Sequence, residues 1–166
     1  MYSTNQPSNL SGASIETIAL SVRARASEAQ ASGTRPMLES LTQSYGGKIE
    51  LAEHSVGASG SLVVRKPEDF TVYLSPYTSP LRDNFTIAHE LGHYVLHYVF
   101  PQRTDEAVFQ RHGIGPLETE ANRFAAALLM PASEFKQARD EGLNEFALAG
   151  RFGVSPEAAK VRMSYV

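Results

Sequence analysis

Three of the five histidines of this chain fall within nine residues, at positions 89, 93 and 97. The first two belong to the segment His89-Glu90-Leu91-Gly92-His93, an H-E-x-x-H pattern. Residues four apart on an α-helix face the same way, about 6 Å from each other, so both imidazoles can bind one zinc ion. Glu90 can take a proton from a zinc-bound water without itself binding the metal. The pattern therefore predicts metal-assisted hydrolysis, with His89 and His93 as ligands and Glu90 as the base.

A catalytic zinc ion needs a third protein ligand and an open fourth position. His97 is one turn beyond His93, but along a continuous helix it lies about 12 Å from His89, which is too far for the two to share an ion. We therefore expect His97 beside the site rather than on the metal. His112 lies in a glycine-rich loop, where it is interpreted as a histidine without a catalytic role, with oxyanion stabilisation as the alternative.

The third ligand is expected from a second helical segment, Leu117–Ala125, which carries two carboxylates and several small residues. Glu118 and Glu120 are about 200° apart around a helix, so we expect one to face the metal and the other to face solvent. Glu118 is the preferred ligand and Glu120 the alternative. Asn122, one turn after Glu118, can hydrogen-bond a metal-bound imidazole and fix its orientation. Gly92 costs a helix about 1 kcal/mol relative to alanine, and close approach of this second segment would compensate for it.

The elements that must position these residues follow the order helices, strands, helices. That order predicts an α+β fold, with a small, mainly antiparallel sheet packed against a helical core and a helical C-terminal half. We expect a flexible tail over residues 1–13 and a single domain over residues 14–166. The predicted parts of that domain are N-terminal helices over 14–46, a sheet over 48–74, zinc-binding helices within 84–130 and C-terminal helices over 132–165. The predicted strands are Lys48–His54, Ser61–Lys66 and Phe70–Leu74, and Asp83 or Asn84 is expected to cap the first zinc-binding helix.

Composition excludes several other kinds of site and partner. The chain has no cysteine, which rules out disulfides, cysteine-ligated metals and a cysteine nucleophile. A net charge of -3 gives no electrostatic footprint for nucleic acid or for an anionic membrane. Without a secretory signal or a long apolar stretch, we expect a soluble, cytoplasmic protein. Residues 148–163 have the pattern of a helix-turn-helix, but Lys160 and Arg162 alone are too few basic contacts, so no direct nucleic-acid binding is expected.

Two segments resemble the motifs of the ImmA/IrrE-type zinc metallopeptidases. Arg82–His97 is similar to the core motif of that family, and Glu118–Pro131 is similar to its second motif, in the same order. The resemblance implies a gluzincin-like enzyme with one zinc ion per chain, although Mn²⁺ and Fe²⁺ suit the same donors. The implied site has His89, His93 and Glu118 as ligands, Glu90 as the catalytic base, and His97 and Asn122 beside them. A ligand glutamate followed four residues later by Asp or Asn is a gluzincin habit, which is a second reason to prefer Glu118.

The resemblance also implies a substrate and a way of binding it. In the family, the helix with the two histidines packs on a short sheet whose edge strand binds the substrate backbone. We predict Phe70–Leu74 as that strand, with Ser61–Lys66 as the alternative. The implied function is cleavage of a protein substrate, a helix-turn-helix repressor, which relieves repression. Two other functions stay open, a DNA-reading regulator with a structural zinc and a zinc-containing pseudo-peptidase that binds a partner without cleaving it.

Overall fold

A computed structural model describes residues 4–53, 61–110 and 113–166 of the chain. It has an α+β fold with a small mixed sheet and a helical C-terminal half, which confirms the predicted fold class. The strands are β1 (Gly47–Leu51), β2 (Leu62–Lys66), β3 (Asp69–Leu74) and β4 (Ala107–Phe109). The helices are α1 (Gly12–Ala24), α2 (Ser27–Gln30), α3 (Thr34–Ser44), α4 (Pro80–Tyr94), α5 (Pro116–Leu129), α6 (Ala132–Asp140), α7 (Glu145–Phe152) and α8 (Pro156–Met163).

The sheet has the strand order β1-β3-β2-β4 among the described residues. Strand β2 pairs antiparallel with β3 and with β4, whereas β1 pairs parallel with β3. Strands β3 and β2 are therefore both interior, and the prediction that one of them offers a free edge to substrate is wrong. The reason is β4, which has three residues, follows α4 in sequence and covers the side of β2 that would otherwise be open. The predicted strand end at His54 lies outside the described residues.

Helix α4 begins at Pro80, one turn before the predicted start. Ser79 is the N-cap: its hydroxyl accepts from the backbone N–H of Arg82 at 3.3 Å, and proline occupies the first position of the helix. The prediction that Asp83 or Asn84 caps this helix is wrong, because both lie within it. The Asn84 side chain is buried and donates instead to the carbonyl of Gly153 at 2.9 Å.

Helix α4 changes conformation after Tyr94. The chain continues as a π-helical turn over Val95–Val99, in which the N–H of Phe100 donates to the carbonyl of Val95 at 2.9 Å. Such turns occur mostly as single insertions at the end of or within α-helices, often at functional sites. His97 lies in this turn, so the predicted continuous α-helix over 84–98 ends four residues early.

The N-terminal segment, residues 4–11, differs from the expected loose tail. The side chain of Asn5 donates to the carbonyl of Val108 in β4 at 2.8 Å, and the backbone N–H groups of Ser8 and Asn9 donate to the Glu120 carboxylate in α5. Leu10 packs against the core. A serine- and asparagine-rich composition, which indicates a loop, here supplies hydrogen bonds to two elements of the fold.

The C-terminal helices pack on the same core as α1. The Arg162 side chain in α8 is buried, donates from Nε to the carbonyl of Met130 at 3.1 Å, and pairs with Glu16 of α1 at 3.0 Å. This guanidinium ties α8 to α1 and does not face solvent, so it is not available to a phosphate.

Over the residues that the structure describes, no helix combines the length and the apolar composition that a membrane span requires.

Candidate metal centre

Helices α4 and α5 are in close contact at Gly92. A Cβ atom at this position would lie 3.1 Å from the carbonyl oxygen of Ala121 and 3.1 Å from Cδ1 of Phe124. This confirms the expectation that Gly92 allows the second helix to come close. The contact lies next to His93 on α4 and one residue before Asn122 on α5, so it sets the distance between the two halves of the site.

Replacing Gly92 with alanine is expected to lower the free energy of unfolding, although alanine is the better helix former by about 1 kcal/mol. The new methyl group meets the α5 backbone, which can yield only if the whole helix shifts. Gly150 is the matched control, because it lies inside α7 and a Cβ there would meet nothing within 4 Å. Gly150→Ala is expected to raise stability by about 0.5–1 kcal/mol. Urea unfolding of the two variants measures both, and a stabilised Gly92→Ala protein would contradict the packing argument.

Three side chains from the two helices converge next to this contact. His89 Nε2 lies 3.0 Å from His93 Nε2 and 3.0 Å from one Glu118 oxygen, and His93 Nε2 lies 3.2 Å from the other. The ligand atoms of these three side chains all lie within 4.8 Å of one another, close enough to hold one ion. Within residues 4–53, 61–110 and 113–166, no other group of histidine and acidic side chains meets this condition. The structure thus brings together the three residues that the sequence assigned to the metal.

The arrangement fits a divalent cation. Ligand atoms bound tetrahedrally at about 2.0–2.1 Å lie about 3.3 Å from one another, close to the separations found here. The Nδ1–H of His89 donates to the side-chain oxygen of Asn122 at 2.8 Å, which leaves the Nε2 lone pair of His89 facing the other two residues. Nitrogen lone pairs and a carboxylate pointed at one another repel unless a cation lies between them, and two histidines with one glutamate suit catalytic zinc.

The protonation states of the three residues also favour a cation. Burial lowers the pKa of His93 to about 4, so its imidazole is neutral near pH 7. Burial opposes ionisation of Glu118, but the neighbouring imidazoles of His89 and His93 outweigh it in the metal-free site and hold the pKa of that carboxyl well below its usual range. Burial alone would lower the pKa of the His89 imidazole as well. Its contacts with Glu118 and Glu90 outweigh burial and raise this pKa overall. The site therefore offers one negative carboxylate and at least one neutral imidazole before any metal binds.

Glu90 follows His89 in α4 and is almost completely buried, at 2% exposure. Its Oε1 accepts a hydrogen bond from the hydroxyl of Ser61, the residue before β2. Ser61 is itself fixed by the sheet, because its N–H donates to Phe109 and its carbonyl accepts from Tyr73. The sequence pattern does not indicate this role of Ser61, since a single serine 29 positions before Glu90 carries no signal of proximity. The hydrogen bond from Ser61 holds the Glu90 carboxylate in one orientation beside the metal-binding candidates.

Residues 38–164 match the sequence model of the IrrE N-terminal-like domain, which is a peptidase family. The chain belongs to this family. The match spans both α4 and α5, and therefore both segments on which the resemblance rested. No curated protein matches the chain in a sequence comparison. The family is of metallopeptidase type, in agreement with a metal site built from His89, His93 and Glu118.

This IrrE-like domain places a second carboxylate behind the metal site. His97 Nδ1 lies 3.0 Å from His93 Nδ1, and His97 Nε2 lies 2.7 Å from an oxygen of Glu120. His97 thus lies beside His93 and outside the group that could hold an ion. The expectation that one of the two glutamates faces solvent is wrong, since Glu120 is 9% exposed. The N-terminal segment covers that side of α5 and supplies hydrogen bonds that the sequence pattern could not indicate.

Glu120, the alternative metal ligand, is not part of the group that could hold an ion. It is separated from His93 by the imidazole of His97. His112 lies outside the described residues.

Proposed function

We propose that this domain is a zinc-dependent endopeptidase. The observation that carries the proposal is the convergence of His89, His93 and Glu118 beside a buried Glu90 that is oriented by Ser61. Membership of a peptidase family supports the same reaction. Three metal ligands with a separate carboxylate base are the minimum set for metal-assisted hydrolysis of a peptide bond.

The chain's own residues divide the work of the reaction. A bound zinc ion would polarise the scissile carbonyl and acidify a water molecule. Glu90 takes the proton of the attacking water and delivers it to the amine that leaves. Ser61 keeps the Glu90 carboxylate in place for both transfers, and Asn122 keeps His89 in one ring orientation and one tautomer. This chemistry needs neither a serine nor a cysteine nucleophile, which suits a chain without cysteine.

The proposed substrate is a helix-turn-helix repressor, cleaved in the cytoplasm to relieve repression. The resemblance of the two motifs to the ImmA/IrrE-type peptidases supports this choice. The domain itself is proposed not to bind DNA. Arg162 is one of two basic residues on the last helix, and its side chain already donates hydrogen bonds to Glu16 and to the carbonyl of Met130. The edge strands among the described residues are β1 and β4. Strand β4 lies beside the metal site, since Phe109 stacks on His93 with ring centroids 4.8 Å apart, and it is therefore the proposed edge for the substrate backbone.

The test is co-incubation of the purified chain with a helix-turn-helix regulator encoded beside its gene, with and without a chelator. A specific cut is expected in the zinc-loaded sample, detected by mass spectrometry of the products. Chelation is expected to abolish the cut and added zinc to restore it. A stable complex with an intact regulator in every condition would support the pseudo-peptidase instead, and a cut that survives chelation would rule out the metal mechanism.

A further inference from the structure

A chain of hydrogen bonds leads from His93, away from the metal site, to the N-terminal segment. Its members are His97, the Glu120 carboxylate and the backbone amides of Ser8 and Asn9. His97 is buried, at 1% exposure, in the π-helical turn between His93 and Glu120. These contacts do not touch the proposed reaction, so they need a separate explanation.

The direction of each bond in this chain is determined by the one before it. A carboxylate only accepts, so the hydrogen of a neutral His97 is on Nε2, which faces Glu120 at 2.7 Å. Nδ1 of His97 is then an acceptor, and the Nδ1 atom of His93 at 3.0 Å must donate to it. A neutral His93 with its hydrogen on Nδ1 presents the Nε2 lone pair toward His89 and Glu118. The chain therefore selects the tautomer of His93 that can bind a metal.

The far end of the chain is a pair of backbone amides. The N–H groups of Ser8 and Asn9 donate to the two oxygens of Glu120 at 2.8 and 2.9 Å. Asn9 has a φ angle of 59°, in the left-handed region that asparagine adopts more readily than most residues. Consecutive amides in such a turn form a concave anion site. Asn5 anchors the same segment, because it donates to Val108 and accepts from Arg103 at 2.9 Å.

We propose that Glu120 is a positioning residue that acts through His97 to hold His93 as an Nε2 metal ligand, and that residues 5–9 complete this arrangement. The proposal rests on the metal site of the proposed function. The segment lies outside residues 38–164, which the family match covers. It makes the metal affinity depend on a part of the sequence about 80 residues before the first ligand.

The test measures the Zn²⁺ affinity of the full chain by competition with a chelating dye, and the visible absorption spectrum of the protein loaded with Co²⁺. Glu120→Gln is expected to weaken Zn²⁺ binding about 10- to 100-fold, the range for partners that hold metal ligands, and to change the Co²⁺ spectrum. Glu106→Gln removes the same charge from an exposed glutamate and is expected to change neither. The comparison separates an effect of the chain of hydrogen bonds from an effect of net charge.

Two further pairs of variants test the middle and the far end of this series of hydrogen bonds. His97→Leu removes the acceptor from His93 and is expected to lower affinity as Glu120→Gln does, whereas His97→Asn keeps a polar atom near the Nδ1 position and is expected to recover most of it. Asn9→Val disfavours a φ of 59°, and Asn9→Gly permits it. We expect a loss of affinity of about 10-fold in the first and wild-type affinity in the second.

The outcomes separate this proposal from the proposed function. A wild-type protein that binds no Zn²⁺ would overturn both. Stoichiometric binding by the wild type, with unchanged affinity and Co²⁺ spectrum in Glu120→Gln and His97→Leu, would overturn the positioning role and leave the metal site standing. An effect of Glu120→Gln without an effect of Asn9→Val would overturn the part assigned to the N-terminal segment. Thermal unfolding of the metal-free variants shows whether each is folded. The side chain of Asn9 is exposed, so the Asn9 pair keeps the test decisive if a His97 variant does not fold.

Discussion

Replacing Glu90 with glutamine is expected to leave one zinc ion bound per chain and to slow peptide cleavage by at least about 10²–10⁴-fold, the range that a general base contributes. Glutamine has the same shape as glutamate and can still accept from Ser61 through its carbonyl oxygen. It cannot take a proton from water. Because the three metal-binding side chains are untouched, elemental analysis should give wild-type zinc content, and product formation followed by mass spectrometry should show the loss of rate.

The controls for this prediction are Ser61→Ala and Glu106→Gln. The first keeps the base but removes the bond that orients it, so we expect an intermediate rate with full zinc content. The second removes an exposed charge to which no role is assigned, and its rate should equal that of the wild type. Unchanged proteolysis in the Glu90→Gln protein would show that another group activates the water, and loss of zinc would show that Glu90 binds the metal.

The sequence predicts those features of the site that depend only on the spacing of residues one helical turn apart. The spacing of His89 and His93 needs only local backbone geometry, and so does the spacing of Glu118 and Asn122 on α5. Gly92 adds the one long-range hint, because a glycine inside a helix indicates a close neighbour. Two helices with these patterns can pack in few ways that satisfy all of them, which is why the structure brings the three metal-binding candidates together.

The rest depends on contacts between distant parts of the chain, for which the sequence has no periodic signal. Strand β4 is three residues long, too short for an alternating pattern, and yet it makes β2 an interior strand. Ser61 reaches Glu90 only because β2 begins beside α4. The segment around Asn9 has the composition of a loop, and the carboxylate that it binds is more than 100 residues away.

Helix α5 shows how an argument from helical angles can be correct and still mislead. Glu118 and Glu120 do point in different directions, but neither direction leads to open solvent. Glu118 meets the histidines of α4, whereas Glu120 meets His97 on one side and the N-terminal segment on the other. The angle between two side chains predicts which of them share a face. It does not predict how many faces of the helix the rest of the protein covers.

Removing one metal ligand is expected to empty the site. A total binding free energy of about 12 kcal/mol for zinc, shared over four ligand positions, assigns about 3 kcal/mol to each, or about 150-fold in affinity. His93→Ala and Glu118→Ala should each lose at least this much and come through desalting with little zinc, as measured by elemental analysis. Loss of cleavage should follow, because the chemistry depends on the metal.

Glu120→Ala is the matched variant that separates the two glutamates. It removes a carboxylate two residues from Glu118 on the same helix, from a position equally shielded from solvent but next to His97 instead of the metal. We expect it to reach full occupancy at saturating zinc, with a loss of affinity smaller than that of Glu118→Ala. Full zinc content in Glu118→Ala, together with an empty site in Glu120→Ala, would reverse the assignment. Because both variants remove one negative charge from α5, the change in net charge is the same in the two, and the expected difference reflects where each carboxylate lies relative to the metal-binding histidines.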